Sequence, residues 1–237
     1  MSQEASKTET GDMPTQQRLR ITYKKDDCLK YVGHLDFART WERALRRADL
    51  PLAYSQGFNP QAKLQFASAL PIGATGRHEL LDIILNESMA PEDFVTKVAP
   101  QLPAGLTLIE VSEAPLKTKA LQNLLRSTEW QVDLRTDLSE EEIRDAIDRV
   151  LQATELPSTR RRKGKTVHYD LRPLILALSY DGAPESDWHR LSMILRSEPG
   201  ATGRPDSVLR SLGLEESSHR LDRMRLSFAE PPELADS

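Results

Sequence analysis

Hydrophobic and polar residues alternate in the first patterned stretch of the chain, RLRITYKK at 18–25. Leu19, Ile21 and Tyr23 share one side, and Arg18, Arg20, Thr22 and Lys24 the other. A period of two predicts a half-buried strand, here with a basic outer face. After the connection DDCLKYVG the period changes. Phe37, Ala38, Trp41, Leu45 and Ala48 recur at helical spacing, with Arg39, Arg43, Arg46 and Arg47 on the exposed side and Pro51 ending the helix. Gly57, Pro60, Pro71 and Gly73 frame a short extended run, Lys63 to Ala69, in which Leu64 and Phe66 share a face. ELLDIIL at 79–85 reads as a strand and APEDFVTKVAPQL at 90–102 as a short helix. Pro91 suits its first turn, and Glu92 and Asp93 face its positive end. GLTLIEVSEA at 105–114 is another strand. This β-α-β-β-α-β order is that of a ferredoxin-like domain.

The pattern then restarts. TEWQVDL at 128–134 predicts a strand. A helix over 140–151 turns Ile143, Ile147 and Val150 inward, and Ser139 with Glu142 offers a capping box. Residues 153–171 read as two strands joined by a turn at Lys163–Gly164. Strands at 173–180 and 187–196, a short helix at 204–214 that opens on Pro205, and a closing strand complete the series. In the closing strand the alternation slips around Arg223, Met224 and Arg225, which predicts a bulge or a misplaced start. The expected fold is α+β: tandem ferredoxin-like domains over 18–114 and 128–228, the second elaborated with extra strands. A linker is expected at 115–127, a disordered tail at 1–17 and an acidic tail at 229–237.

Composition narrows the chemistry. The chain has 237 residues, 38% hydrophobic and 29% charged, as in an ordinary globular protein. No run approaches the roughly 18 apolar residues of a membrane span, and the first 17 residues lack the apolar core of a secretory signal. A cytoplasmic protein is expected. One cysteine, Cys28, rules out an internal disulfide, and the chain's own thiolates are too few for an iron–sulfur cluster. No phosphate-binding loop, dinucleotide fingerprint or nucleophile elbow is present. No cofactor is expected in this chain.

The net charge of −4 conceals local contrast. Residues 18–80 carry 11 basic against 6 acidic side chains, a surplus of 5; residues 158–172 carry 6 against 1, again a surplus of 5; residues 137–148 carry 1 against 6. Two basic segments in an acidic protein form a candidate footprint for a polyanion or an acidic partner. The candidates in the first segment are His34 at the start of the first helix, the row Arg39, Arg43, Arg46 and Arg47, and the loop residues Tyr54, Gly57, Phe58 and Lys63. Like charges at i,i+4 along the row cost helix stability, so it is either a phosphate or partner contact or a solvated face. Phe58 and Tyr54 either stack on a base or pack the loop onto the helix. His34 either meets a phosphate or bonds its own backbone. Asp36 is expected to bond back to the Gly33 N–H as half a capping box. In the second segment Arg160, Arg161, Arg162, Lys163 and Lys165 form a basic hairpin tip. It meets phosphates, the acidic stretch 137–148, or solvent. Arg172, with Asp170, is expected mainly to brace a turn and is also a candidate RNA or partner contact.

Taken together, Tyr31-Val32-Gly33-His34-Leu35-Asp36, Arg43-Ala44-Leu45-Arg46-Arg47, Tyr54-Ser55-Gln56-Gly57-Phe58-Asn59-Pro60 and Leu70-Pro71-Ile72-Gly73 resemble the bacterial radical-SAM-associated family, a domain of unknown function. So do Arg162-Lys163-Gly164-Lys165, Asp170-Leu171-Arg172-Pro173 and Gly203-Arg204-Pro205. The resemblance implies the stand-alone form of a domain otherwise fused to a cobalamin-binding radical SAM region. Any iron–sulfur cluster, S-adenosylmethionine or cobalamin would then belong to a separate partner enzyme. The chain departs from the family pattern at Gly33, where serine is common, and at Gln61-Ala62, where His-Pro is common. Three readings follow: a non-catalytic accessory protein that docks a radical SAM enzyme and presents its substrate, with RNA a candidate; a stand-alone RNA-binding or RNA-processing protein; and a structural interaction module without nucleic acid.

Overall fold

A computed structural model describes residues 16–229 apart from Lys163 and Ser186, and of Arg162 it describes the backbone only. The tails at 1–15 and 230–237 lie outside the described residues. The chain forms β1 (Gln17–Lys25), α1 (His34–Arg47), β2 (Leu64–Phe66), β3 (Ala74–Leu85), α2 (Pro91–Val98) and β4 (Leu106–Ala114). It continues through α3 (Leu121–Leu124), β5 (Leu125–Arg135), α4 (Glu140–Gln152), β6 (Pro157–Arg162), β7 (Lys165–Asp170) and β8 (Ile175–Tyr180). It ends with β9 (Trp188–Glu198), β10 (Ala201–Thr202), α5 (Pro205–Ser211) and β11 (Ser218–Phe228). The fold is mixed α+β. Gln17, which falls inside the expected tail, opens β1 and is buried. Within the expected linker, Leu121, Leu124 and Leu125 are buried in α3 and the start of β5.

One sheet runs through both halves in the order β10-β9-β5-β11-β3-β1-β4, with β2 also pairing β3 and β8 also pairing β9. The first half contains the antiparallel order β4-β1-β3-β2. The second half contains the corresponding antiparallel order β11-β5-β9-β8. The hairpin β6–β7 stands apart as its own two-stranded sheet. A short parallel ladder joins the halves, with Leu221, Asp222 and Arg223 of β11 opposite Ala74, Thr75 and Gly76 of β3. The irregularity expected in the closing strand is real: the pairing of β11 with β5 shifts register between Arg223 and Arg225.

The helices cover one face of the sheet. Phe37, Trp41 and Leu45 of α1 and Phe94 and Val98 of α2 pack on Leu19, Ile21 and Tyr23 of β1. Ile143, Ile147 and Val150 of α4 and Val208 and Leu209 of α5 pack on Trp130, Val132 and Leu134 of β5. These are the same face, because Lys25, Gly76, Arg223 and Trp130 occupy successive register positions across β1, β3, β11 and β5. The expected capping box forms: Ser139 Oγ accepts from the Glu142 N–H, and Glu142 accepts from the Ser139 N–H at 2.8 Å. The Ser139 N–H, and then the Ser139 hydroxyl, which also donates to the carboxylate at 2.8 Å, hold the Glu142 carboxyl below its ordinary range.

The basic outer face expected for β1 does not form. Arg18 and Arg20 are buried, 6% and 5% exposed, because β3 supplies Asp82 on that side. Arg20 grips Asp82 through Nε at 2.8 Å and Nη2 at 2.9 Å, and Arg18 approaches it at 3.6 Å. On the same side of the second half, Arg190 forms a two-point bond with Asp133, and Arg77 pairs with Asp222. Asp82 and Asp222 thus offset part of the basic surplus of residues 18–80 from outside that segment.

Candidate binding face and the buried seam

The structure gathers the first group of candidates on one flank of the first half. Burial of Phe37, Trp41, Ala44 and Leu45 turns Arg39, Arg43, Arg46 and Arg47 outward along α1. Arg39 pairs with Asp36 at 3.1 Å, so Asp36 does not form the half capping box expected at Gly33, whose cap carries no side-chain bond. Arg46 bonds the Tyr54 hydroxyl at 3.1 Å, stands 5.6 Å from the centre of that ring, and pairs with Glu42 at 3.3 Å. Arg47 donates to the Gln101 carbonyl at 2.5 Å. Arg43 is exposed and forms no ion pair among the described residues.

The segment 54–63 doubles back on itself. Tyr54 pairs with Ala62 as a bridge, Ser55 N donates to the Gln61 carbonyl at 2.8 Å, and Gln61 N donates to Ser55 Oγ at 3.0 Å. Gly57 makes the reversal at φ +126°, a value that side chains resist. Phe58 at the tip is fully exposed, so it does not pack the loop onto the helix. Tyr54 does pack, against the first-half core. Lys63 is exposed beside the loop's base. A groove of about 240 Å³ runs between α1 and this segment, lined by His34, Leu35, Arg39, Gln61 and Phe66 among others. The exposed His34 ring meets Phe66 edge-on at 5.3 Å. Among the described residues no acid or base lies within hydrogen-bonding distance of it.

The second group does not join the first into one bonded network. The hairpin is tied to α5: Tyr169 Oη donates to Ser207 Oγ at 3.0 Å, and Arg160 lies 5.2 Å over the Tyr169 ring. Arg161 and Lys165 are exposed. The side chain of Arg162, and Lys163 altogether, fall outside the described residues. Arg160, Arg161 and Lys165 form no ion pair with residues 137–148 among the described residues. Arg172 is a structural brace. Its guanidinium donates to the Leu151 carbonyl at the end of α4 at 2.9 and 3.1 Å and to the Ile175 carbonyl at 3.1 Å. Asp170 accepts from Leu156 N and Arg172 N, as a turn brace should.

A buried charge cluster at the seam escaped sequence reasoning. Arg223, 2% exposed, grips Glu79, 1% exposed, through Nε at 2.8 Å and through Nη2. Its remaining donors reach Ser68 Oγ and the Ser68 and Ala69 carbonyls at 3.0–3.4 Å. Lys25 is buried beside them and donates to the Val32 carbonyl at 3.2 Å. Burial pushes the Lys25 amine below its ordinary range, and the neighbouring Glu79 carboxylate opposes that shift. Burial, then Glu79, pushes the Tyr23 hydroxyl up. Gly76 sits between Lys25 and Arg223 in register, and the Glu79 side chain fills the space where a Gly76 Cβ would stand. The phase of β1 places Lys25 with Leu19, Ile21 and Tyr23, and that signal was available in the sequence.

A family model described as "Uncharacterized protein conserved in bacteria (DUF2344)" matches residues 18–205. The chain belongs to this DUF2344 family. No curated protein sequence matches it. Among solved structures it is similar to a chain of "Crystal Structure of a Cbf5-Nop10-Gar1 Complex", at 11% identity and TM-score 0.48, over 88% of this chain and 48% of that one. It thus spans about half the length of that chain. It is also similar to DyPB from Rhodococcus jostii RHA1, at 13% identity and TM-score 0.19, over 84% of this chain and 83% of that one. With TM-scores below 0.5, neither likeness bears on function. Among the described residues no group of three or more His, Cys, Asp or Glu side chains is placed to hold a metal ion, and no helix is long and apolar enough to cross a membrane.

Proposed function

We propose that the protein is a non-catalytic accessory subunit that docks a separate radical SAM enzyme in the cytoplasm and presents its substrate, RNA being the favoured class. One observation carries the docking part. Among the described residues the four most exposed large apolar side chains, Tyr31, Leu35, Phe58 and Ile72 at 69–113% exposure, all fall within 42 residues of the first half. Their backbones are linked in two pairs: Gly73 N bonds the Lys30 carbonyl at 2.8 Å, next to Ile72 and Tyr31, and Leu35 lines a groove with Gln61 and Ala62 at the base of the loop that carries Phe58. Exposed aromatic and aliphatic residues beside arginines are the composition of a protein interface. The enzyme partner itself comes from the family resemblance.

The fold part of the reading is a duplication. We infer that each half is ferredoxin-like, one over 18–114 and one over 128–228, with β6, β7 and β10 as elaborations of the second. The repeated antiparallel strand order supports it. The exposed Arg161 and Lys165 of the hairpin, with Arg43 and Lys63 on the other basic segment, support contact with RNA phosphates.

The test is an anaerobic tagged pull-down from the native host after nuclease treatment. A stoichiometric radical SAM protein is expected, lost when Tyr31, Leu35 and Phe58 are changed to serine together. No such partner with the wild-type chain, or undiminished capture by the triple variant, overturns the reading. RNA release by nuclease without any protein partner would favour a stand-alone RNA-binding role.

A further inference from the structure

A second cleft, of about 320 Å³, opens where the halves meet on the helix-covered side of the sheet. Ser68 to Pro71, in the loop between β2 and β3, form one side. Arg204 to Asp206, where α5 begins, form the other, and Thr128, Trp130 and Ser197 line it from β5 and β9. Its size lies at the small end of the range for clefts that hold a small organic molecule, about 300–1,000 Å³.

Three polar side chains face the cleft. Ser197 is 7% exposed and lines it, and its hydroxyl bonds no described residue. Arg204 stands at the mouth with its guanidinium unpaired among the described residues. Its backbone is held by hydrogen bonds on both sides: Gly203 N donates to the Arg196 carbonyl at 2.9 Å, and the Arg204 carbonyl accepts from Ser207 N at 3.0 Å and Val208 N at 3.3 Å. Asp206 lies at the same mouth, with His219 Nε2 3.9 Å from its carboxylate. Leu70, Pro71, Trp130 and Pro205 supply apolar wall.

We propose that this cleft binds one nucleotide unit, with its phosphate on Arg204, its base against the apolar wall and a base or ribose group on the Ser197 hydroxyl. A ligand suited to these features offers an anion to Arg204, hydrogen-bond donors to Asp206, a partner for Ser197 and a flat apolar body. A nucleotide has all four, whereas a simple aromatic or fatty acid leaves Asp206 and Ser197 unsatisfied. The same chemistry arrives as a free mononucleotide or as one nucleotide of an RNA strand, and only the second source rests on the RNA part of the functional reading above.

The test uses the full-length ¹⁵N-labelled protein, whose three tryptophans give three indole N–H signals. It is titrated with AMP, CMP, GMP and UMP, and separately with a 5′-phosphorylated single-stranded RNA octamer. The Trp130 indole signal is expected to shift saturably, because its N–H bonds Thr128 Oγ1 at 2.8 Å within the cleft wall, while the Trp41 signal stays in place. Arg204→Ala is expected to weaken binding about tenfold and Ser197→Ala about threefold, with an unchanged unfolding midpoint. A shift with mononucleotides alone assigns a free nucleotide, and a shift with the octamer assigns a strand. No Trp130 shift with any probe, or binding indifferent to both substitutions, overturns the proposal. Capture of the enzyme partner together with a silent Trp130 signal would remove the cleft assignment and leave the accessory reading standing.

Discussion

Glu79→Ala should be the most damaging single truncation in the buried seam. It removes the anion that faces two buried cations, Lys25 and Arg223. Arg223 would lose its two bonds to the carboxylate and keep three, to Ser68 Oγ and to the Ser68 and Ala69 carbonyls. Its guanidinium would stay folded but uncompensated, with an ammonium close by in a water-poor site. Breaking a buried pair by removing one partner costs about 3–5 kcal/mol. For a chain of this size that corresponds to a fall in Tm of roughly 6–20 °C. Urea unfolding followed by circular dichroism measures it directly. Because the damage is repulsion between unpaired cations, adding Lys25→Met should recover part of it, so the double variant is more stable than Glu79→Ala alone. A loss below about 1 kcal/mol for Glu79→Ala, or a double variant no better than the single one, would refute the reasoning.

Other perturbations separate the same forces. Lys25→Met alone should fall within about 1 kcal/mol of wild type near neutral pH or exceed it, because burial disfavours the charged amine. Since the Lys25 pKa is lowered on folding, the unfolded chain binds more protons below the ordinary value of 10.5. Wild-type stability should therefore gain from this group as pH climbs toward about 10, and the variant should lack that gain in urea titrations at several pH values. Gly76→Ala should destabilise by roughly 1–3 kcal/mol although its backbone is unstrained, because the added methyl falls 2.5 Å from Glu79 Oε1, and Arg223 holds that carboxylate in place. Ser139→Ala should cost about 0.5–2 kcal/mol through loss of the cap. The lowered Glu142 pKa contributes stability above the ordinary value of 4.5 that is lost as pH falls through the folded value, so Ser139→Ala should also flatten the acid limb of a stability–pH curve.

Local pattern made the elements legible. The period of two in β1, the helical recurrence from Phe37 to Ala48, the Ser139–Glu142 box and the slipped phase near Arg223 are properties of neighbouring residues, and each appears in the fold. Exposure of the α1 arginines followed in the same way, since burying Trp41 and Leu45 turns Arg39, Arg43, Arg46 and Arg47 outward. The aromatic loop was legible as a loop, but its geometry was not. Whether Phe58 packs or projects depends on the closure between Ser55 and Gln61 and on Gly57 at its tip.

The sequence by itself determined which residues share a side of most elements, but not all their bounds: β3 starts at Ala74 rather than 79, and α3 and β10 carried no signal in the pattern. Only the tertiary structure decided whether that side meets water. Arg20 and Arg223 look alike in the sequence as charges on strands, yet both are buried because their carboxylates come from 62 and 144 residues away. Strand register, set by the whole sheet, brings Asp82 opposite Arg20 and places Gly76 between Lys25 and Arg223. A charge tolerates burial only when a partner of opposite sign is delivered to it. That delivery, like the cleft whose walls come from both halves, belongs to the packing of distant segments.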